Sequence, residues 1–171
     1  MNMPQPRFAA VVLSAVLWVA GAAQAGEITH FAAKVTDKVL SMEPVYGKPG
    51  PSRFAFRSIN KGSAWISDDR AFDGTERTVQ ANWDSQGGVG IGSGFSTWVK
   101  GDASTSLQWN GVCSTVPNKD NKPSTSCAGG WAFIPGSGTG AFASLAGGGS
   151  WTGAVLPDGS FEGVIEGNYT R

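Results

Sequence analysis

After about residue 26, hydrophobic and polar residues alternate along the chain in short segments separated by glycine, proline and polar turn residues. The first segment has an apolar face made up of four residues: Phe31, Ala33, Val35 and Val39. Polar residues such as Lys34 and Thr36 occupy positions between them. Because successive side chains of a β-strand point to opposite faces, this period of two predicts a strand with one buried face.

Similar segments recur along the rest of the chain. They cover residues 53–59, 64–66, 78–83, 89–99, 106–113, 130–134, 140–146, 150–156 and 160–170, of which 64–66 has the weakest pattern. Residues 43–52 contain three prolines, and we predict a loop there because proline lacks the amide donor that a ladder needs. The tripeptide Pro157-Asp158-Gly159 predicts a tight turn that joins the last two strands in a hairpin.

Roughly eight to ten short strands are typical of an antiparallel barrel or sandwich. We prefer an all-β fold with a single antiparallel β-barrel of about eight strands and glycine-rich hairpins. The chain ends on a strand, which can pair with the first strand and so close the sheet without leaving edges.

Glycine is the most informative feature of the composition. The chain has 25 glycines, and 19 of them lie between Gly87 and Gly167 among β-branched and aromatic residues. This mixture disfavours helix, because glycine costs about 1 kcal/mol relative to alanine in a helix interior. Within residues 89–99, large apolar side chains alternate with glycines. We predict that the apolar face of this strand packs and that the glycine face admits close neighbours.

Residues 1–25 have the three zones of a secretory signal peptide. A polar start carries one charge, Arg7, an apolar run covers residues 8–22, and small residues stand at positions 23 and 25. The apolar run is shorter than the roughly 20 residues that a membrane-spanning helix needs, so a retained anchor is the weaker interpretation. We therefore predict a cleaved signal helix, a barrel domain over residues 26–171, no membrane span after processing, and a periplasmic or secreted bacterial protein.

Cys113 and Cys127 are the only cysteines of the sequence, and they flank a polar segment rich in serine, asparagine, lysine and proline. An even pair in an exported protein predicts a disulfide, which would also hold a polar loop over residues 114–126. Redox catalysis and a metal site are weaker interpretations, because the sequence contains no Cys-x-x-Cys spacing.

Charge and motifs exclude several classes of protein. Without Arg7, which belongs to the leader, 12 Lys and Arg stand against 13 Asp and Glu, and this balance argues against nucleic-acid binding. The single histidine, His30, cannot complete an imidazole ligand set, and we predict an exposed strand residue. The sequence has no Gly-x-Ser-x-Gly motif and no phosphate-binding or dinucleotide fingerprint, so hydrolases are disfavoured and we predict no cofactor.

One acidic cluster is a weak candidate for calcium. It consists of Asp68, Asp69, Asp73 and Glu76, around Gly74. The alternating ligand spacing of an EF-hand is absent, and we interpret the cluster as a solvated turn rather than a metal site.

The segment 136–153 resembles the glycine-rich late hairpin of allene oxide cyclase-like and dirigent-like β-barrels, and the chain looks closest to bacterial exported families of unassigned function. The matching positions are Gly138, Thr139, Gly140, Phe142, Gly147 and Gly149, before a closing strand over residues 161–169. The resemblance implies an eight-stranded antiparallel barrel with an apolar lumen. It leaves a homo-oligomer open, since the named enzymes are often trimeric or dimeric. No catalytic residue of those families is carried over, because their functional carboxylates have no motif match here.

The tryptophans supply the candidate binding residues. Six of the seven lie after the leader, about one per strand, and most are expected in the core. Trp98 and Trp109 lie on strands that end near the cysteine pair, so we predict that they line one mouth of the barrel and contact a small ligand.

Three function classes follow from these observations. The first is a binding protein for a small apolar or aromatic molecule in the lumen. The second is a cyclase or isomerase that acts by confinement, which needs an acid or base buried in the lumen; the candidates are Asp37, Glu43, Glu162 and Glu166. The third is an envelope structural or interaction protein with a filled barrel and an exposed apolar patch.

Overall fold

The computed structural model describes residues 26–48, 52–65 and 69–171. The prediction of a signal peptide over residues 1–25 lies outside these residues. Eight strands follow one another along the chain: β1 (Thr29–Tyr46), β2 (Phe54–Trp65), β3 (Glu76–Gln86), β4 (Val89–Lys100), β5 (Ala103–Pro117), β6 (Pro123–Phe133), β7 (Ala146–Val155) and β8 (Phe161–Thr170). A short 3₁₀ helix, Gly140–Phe142, precedes β7.

The eight strands form a closed antiparallel barrel in sequence order, which confirms the predicted fold class. Each strand pairs with the next, and β8 pairs with β1 from Thr29 opposite Tyr169 to Asp37 opposite Phe161. The Pro157–Gly159 turn is also confirmed, with Gly159 at a φ of +82° and its amide donating to Leu156 O at 2.9 Å. The last strand therefore closes the sheet on the first.

Several strands extend further than the sequence pattern indicates. Residues 43–46 belong to β1, so the loop prediction is wrong for them. Pro44 lies opposite Phe56 beside a register irregularity, where a strand tolerates the missing amide donor. The segments predicted over 53–59 and 64–66 are not separate strands: residues 54–59 and 64–65 belong to the single strand β2, and residue 66 lies outside the described residues.

The predicted strand over residues 140–146 is mostly absent. It begins with the 3₁₀ helix and continues as a turn, with Ser144 at a φ of +63°, and only its last residue lies in β7. Phe142 and Leu145 are almost fully buried. The apolar residues that suggested a strand instead insert from a connection into the end of the barrel.

The prediction that the apolar face of β4 packs is wrong, whereas the prediction that its glycine face admits close neighbours is confirmed. The apolar residues point outwards, with exposed fractions from 41% to 66%: Val89, Ile91, Phe95 and Val99. The glycines of this strand point inwards, where aromatic rings occupy the space beside them. A Cβ on Gly92 would come within 2.5 Å of the Trp83 ring, and one on Gly94 within 3.0 Å of the Trp109 ring.

One half of the barrel is filled by aromatic rings that we call the plug, made up of Phe31, Phe72, Trp98, Phe133, Phe142 and Tyr169. Phe72 comes from the β2–β3 connection and stacks on Phe142, with ring centroids 4.9 Å apart. Phe31 also stacks on Phe72, with ring centroids 5.1 Å apart. The plug closes the end of the barrel at which β1 begins and β8 ends.

Candidate ligand-binding site

The other half of the barrel contains a cavity of about 720 Å³, within the range of roughly 300–1,000 Å³ that is typical of small-molecule sites. It extends to the turns at Gly87, Gly88 and Gly159, so it opens at the end opposite the plug. Its wall is mostly aromatic and aliphatic.

Four of the wall residues form a continuous aromatic belt: Trp83, Trp109, Trp151 and Phe161. Successive ring centroids lie 5.6, 5.9 and 5.9 Å apart, with two of the three contacts close to edge-to-face. The belt is possible because its rings lie over inward-facing glycines. A Cβ on Gly111 would come within 2.9 Å of the Trp151 ring.

The indole N–H groups near the cavity differ in whether they have a hydrogen-bond acceptor. Trp151 Nε1 donates to Asn110 O at 3.0 Å, and Trp131 Nε1 donates to Glu166 O at 3.1 Å. Trp109 Nε1 is buried and has no hydrogen-bond partner among the residues that the structure describes. This N–H group can therefore be offered to an acceptor on a ligand.

A buried ion pair forms the polar floor of the cavity. Arg77 Nε lies 3.1 Å from Asp37 Oδ1, and the two side chains are 7% and 3% exposed. The N–H bond is not directed at the carboxylate oxygen, so the contact is an ion pair without a hydrogen bond. Arg77 also lies over the Trp98 ring, with Cζ 5.6 Å from its centroid.

The backbone register explains how two charges from non-adjacent strands meet. Gly62 on β2 lies opposite Asp37 on β1 and also opposite Arg77 on β3. A Cβ on Gly62 would overlap Asp37 Oδ1 and the carbonyl of Thr36. The missing side chain therefore leaves the gap that the ion pair crosses.

Burial works against the charged forms of both partners. It raises the pKa of Asp37, with the nearby Arg77 charge opposing the rise, and it lowers the pKa of Arg77, with Asp37 opposing the fall. Several buried polar atoms of the floor have no hydrogen-bond partner within the described ranges: Asp37 Oδ1, Asn60 Oδ1, Arg77 Nε and Arg77 Nη1. The floor can therefore bind further polar groups.

The predicted disulfide is present. Cys113 and Cys127 lie directly opposite each other on β5 and β6 and are bonded. The loop predicted over residues 114–126 is confined to residues 118–122, because the two strands continue to Pro117 and from Pro123. The bond is thus a cross-strand link in the cavity wall rather than the base of a loop.

An exposed polar group lies at the open end. Arg53 Nε donates to Asp84 Oδ1 at 3.0 Å, and Arg53 Cζ lies 5.6 Å from the centroid of the Tyr46 ring. The hydrogen bond from Arg53 lowers the pKa of Asp84. These side chains form a charged rim outside the apolar wall.

The two tryptophans proposed as binding residues do not lie together. Trp109 lines the cavity, whereas Trp98 is 1% exposed, belongs to the plug and donates from Nε1 to Ser96 Oγ at 2.9 Å. The prediction that both line one mouth is wrong for Trp98, because β4 begins rather than ends beside the cysteine pair, with Gly90 opposite Cys113. Trp98 lies near the other end of this strand, in the closed half of the barrel.

Of the four candidate carboxylates, Asp37 alone lines the cavity, while Glu43, Glu162 and Glu166 are exposed. Arg77 also lines the cavity and is not among the residues predicted for the site. The sequence pattern does contain a signal for both charges. In the alternation of each strand, Asp37 falls on the same face as Phe31, Ala33 and Val35, and Arg77 falls on the same face as Val79, Ala81 and Trp83. A charged residue on an apolar strand face predicts a buried charge.

The acidic cluster does not form a metal site within the described residues. Asp68 lies outside them, Asp69 accepts hydrogen bonds from Tyr169 Oη and from Ala71 N, and Glu76 pairs with Lys61. Residues 26–48, 52–65 and 69–171 contain no group of three or more His, Cys, Asp or Glu side chains that could hold a metal ion. His30 is exposed on β1, as predicted.

In the described ranges there is no helix with the length and apolar character needed to cross a membrane.

The fold and the cavity define a closed eight-stranded β-barrel with a plugged half and an open, aromatic-lined half. Comparison of the chain with models of known protein families and with curated proteins found no match.

Proposed function

We propose that this protein is an exported β-barrel that binds a small apolar or aromatic molecule in its lumen. The observation that carries the proposal is the cavity of about 720 Å³ with its belt of four aromatic rings. Aromatic side chains bind apolar rings by burying area and by offset or edge-to-face contacts. Because one half of the barrel is plugged, a ligand would enter and leave through the open end.

Export is part of this proposal and is supported by two features. The first 25 residues carry the zones of a signal peptide, and the Cys113–Cys127 disulfide suits an oxidising compartment. The likeness to allene oxide cyclase-like and dirigent-like barrels remains a proposal, and the closed eight-stranded topology supports it at the level of fold.

The test is native mass spectrometry of the protein purified from its own compartment, together with a variant that fills the cavity. Ala81 is 4% exposed and lines the cavity, so Ala81→Phe would place a ring in the lumen. Asn82→Phe, on the exposed face of the same strand, is the matched control. We expect a co-purifying small molecule with the wild type and with Asn82→Phe, and its loss with Ala81→Phe. A ligand retained by the folded Ala81→Phe variant would contradict binding in the lumen.

A second candidate, a cyclase or isomerase that acts by confinement, is favoured by one observation. Asp37 is a buried carboxyl group in the cavity, and burial raises its pKa towards the range in which it can donate and accept protons. The recovered ligand pool would then be converted to products of the same mass with a different chromatographic retention. Conversion that persists at the wild-type rate in Asp37→Asn would rule out this role for Asp37.

An interaction role would use a different surface. The outward apolar residues of β4, with Val112 on the neighbouring strand, form an exposed stripe on the barrel. A homo-oligomer through such a stripe remains a prediction, and sedimentation velocity of the wild type against Phe95→Ser would test it.

A further inference from the structure

We infer that the ligand carries an uncharged group that both donates and accepts hydrogen bonds, such as an alcohol hydroxyl or a primary amide, and that this group binds beside Asp37 and Arg77. The inference rests on the proposed function, because it concerns the same cavity and specifies the chemistry of the molecule bound there.

The buried polar atoms near the ion pair include both donors and acceptors. Arg77 Nε and Nη1 are donors, and Asp37 Oδ1 and Asn60 Oδ1 are acceptors; none of them has a hydrogen-bond partner in the described part of the chain. Buried polar groups are normally hydrogen-bonded, and a buried charge is especially costly to leave without bonds. The Arg77 donors and the Asp37 acceptor lie side by side, with Nε 3.1 Å from Oδ1, so a single group with both capacities can use both kinds of atom.

The two charges at the floor of the cavity balance each other. Among the described residues that line the cavity, Asp37 and Arg77 are the only charged ones, and each neutralises the other. A carboxylate that binds to Arg77 must also approach Asp37, and an ammonium that binds to Asp37 must approach Arg77. Either ion would bring a third, unpaired charge into an apolar site, which is unfavourable. A neutral group avoids this repulsion.

The aromatic belt and the floor of the cavity lie next to each other. Phe161 lies directly opposite Asp37 in the pairing of β8 with β1, so the belt reaches the level of the ion pair. A ring held by Trp151 and Phe161 would thus carry its polar group to the floor through a short linker. We therefore expect an aromatic body with a neutral polar group on a short linker.

The test is calorimetric titration of the mature protein with four probes that share one ring system: 2-methylnaphthalene, 2-naphthylmethanol, 2-naphthoate and 2-naphthylmethylammonium. We expect the alcohol to bind about fivefold more tightly than the methyl compound, in line with one net hydrogen bond. We expect each ion to bind at least about tenfold more weakly than the alcohol. Binding of the alcohol and the methyl compound within twofold of each other, or of either ion as tightly as the alcohol, would overturn the inference while leaving lumen binding intact. Failure of all four probes to bind would overturn both proposals.

A double variant separates the ion pair from the rest of the cavity. Asp37→Leu/Arg77→Met removes both charges together, which avoids leaving one buried charge unpaired. The control is Lys61→Met/Glu76→Leu, which removes an exposed ion pair of 3.6 Å between β2 and β3; β3 also carries Arg77, and β2 lies between the two strands of the buried pair. We expect the first variant to bind both uncharged probes equally and the control to keep the wild-type preference. An alcohol preference that survives in Asp37→Leu/Arg77→Met would contradict the assignment of the floor.

Discussion

Substitution of Gly62 by alanine tests whether the missing side chain holds the buried ion pair together. The carbonyl carbon of Thr36 would lie 2.7 Å from the new Cβ, and the Cβ would also overlap Asp37 Oδ1. Contacts this short require the backbone of β1 to move or Asp37 to turn away from Arg77. Overpacking of a well-packed site costs about 1–3 kcal/mol, and loss of one partner from a buried ion pair costs about 3–5 kcal/mol.

We therefore expect Gly62→Ala to lower the free energy of unfolding by about 3–5 kcal/mol, a large part of the roughly 5–15 kcal/mol that a domain has. Urea unfolding followed by tryptophan fluorescence measures this difference. Gly130→Ala is the matched control, because Gly130 is also in a strand and its nearest atom to a Cβ would be Gly149 O at 3.6 Å. A Gly62→Ala variant whose stability is within about 1 kcal/mol of Gly130→Ala would refute the reasoning.

The other predictions concern the tryptophans, the disulfide and pH. Trp98→Phe removes the hydrogen bond to Ser96 Oγ, whereas Trp109→Phe removes no hydrogen bond formed within the described residues. In urea unfolding, Trp98→Phe should therefore lower the free energy of unfolding by at least about 1 kcal/mol more than Trp109→Phe does. Equal losses of stability in the two variants would contradict this. The Cys113→Ala/Cys127→Ala variant should lose about 3 kcal/mol in the same assay, and a loss below about 1 kcal/mol would show that the strand ladder suffices. Burial raises the pKa of Asp37 above its ordinary 3.8, so the folded state binds the proton more tightly than the unfolded state. The contribution of Asp37 to stability is then fully present below pH 3.8 and is lost as the pH rises through the folded-state pKa. Over this window the free energy of unfolding of Asp37→Asn should rise relative to that of the wild type. Parallel plots of the two free energies against pH would refute the pKa shift.

Much of the fold follows from local patterns. The alternation of 31–39 and 160–170 locates the first and last strands of the chain, and the Pro157–Gly159 turn is predictable because its residues suit the backbone angles that the turn needs. The disulfide is predictable because the sequence has only two cysteines and the predicted export places them in an oxidising compartment. The strand ends are less predictable, because pairing with a neighbour extends a strand through residues such as Pro44 that have low strand propensity.

The sequence by itself determined that the chain forms an all-β barrel with a linked cysteine pair, because period-two alternation, glycine-rich turns and a terminal strand each act locally. Only the tertiary structure decided which face of β4 points inwards. Alternation identifies the two faces of a strand but not which of them points into the barrel. In β4 the Trp83 and Trp109 rings occupy the space above the glycines, so the glycine face points inwards. Only the closed sheet brings Asp37 and Arg77 together, since their contact depends on the register of two strand pairs across Gly62. The cavity exists for the same reason: it is the space left where the plug ends, and no single segment of the chain encodes it.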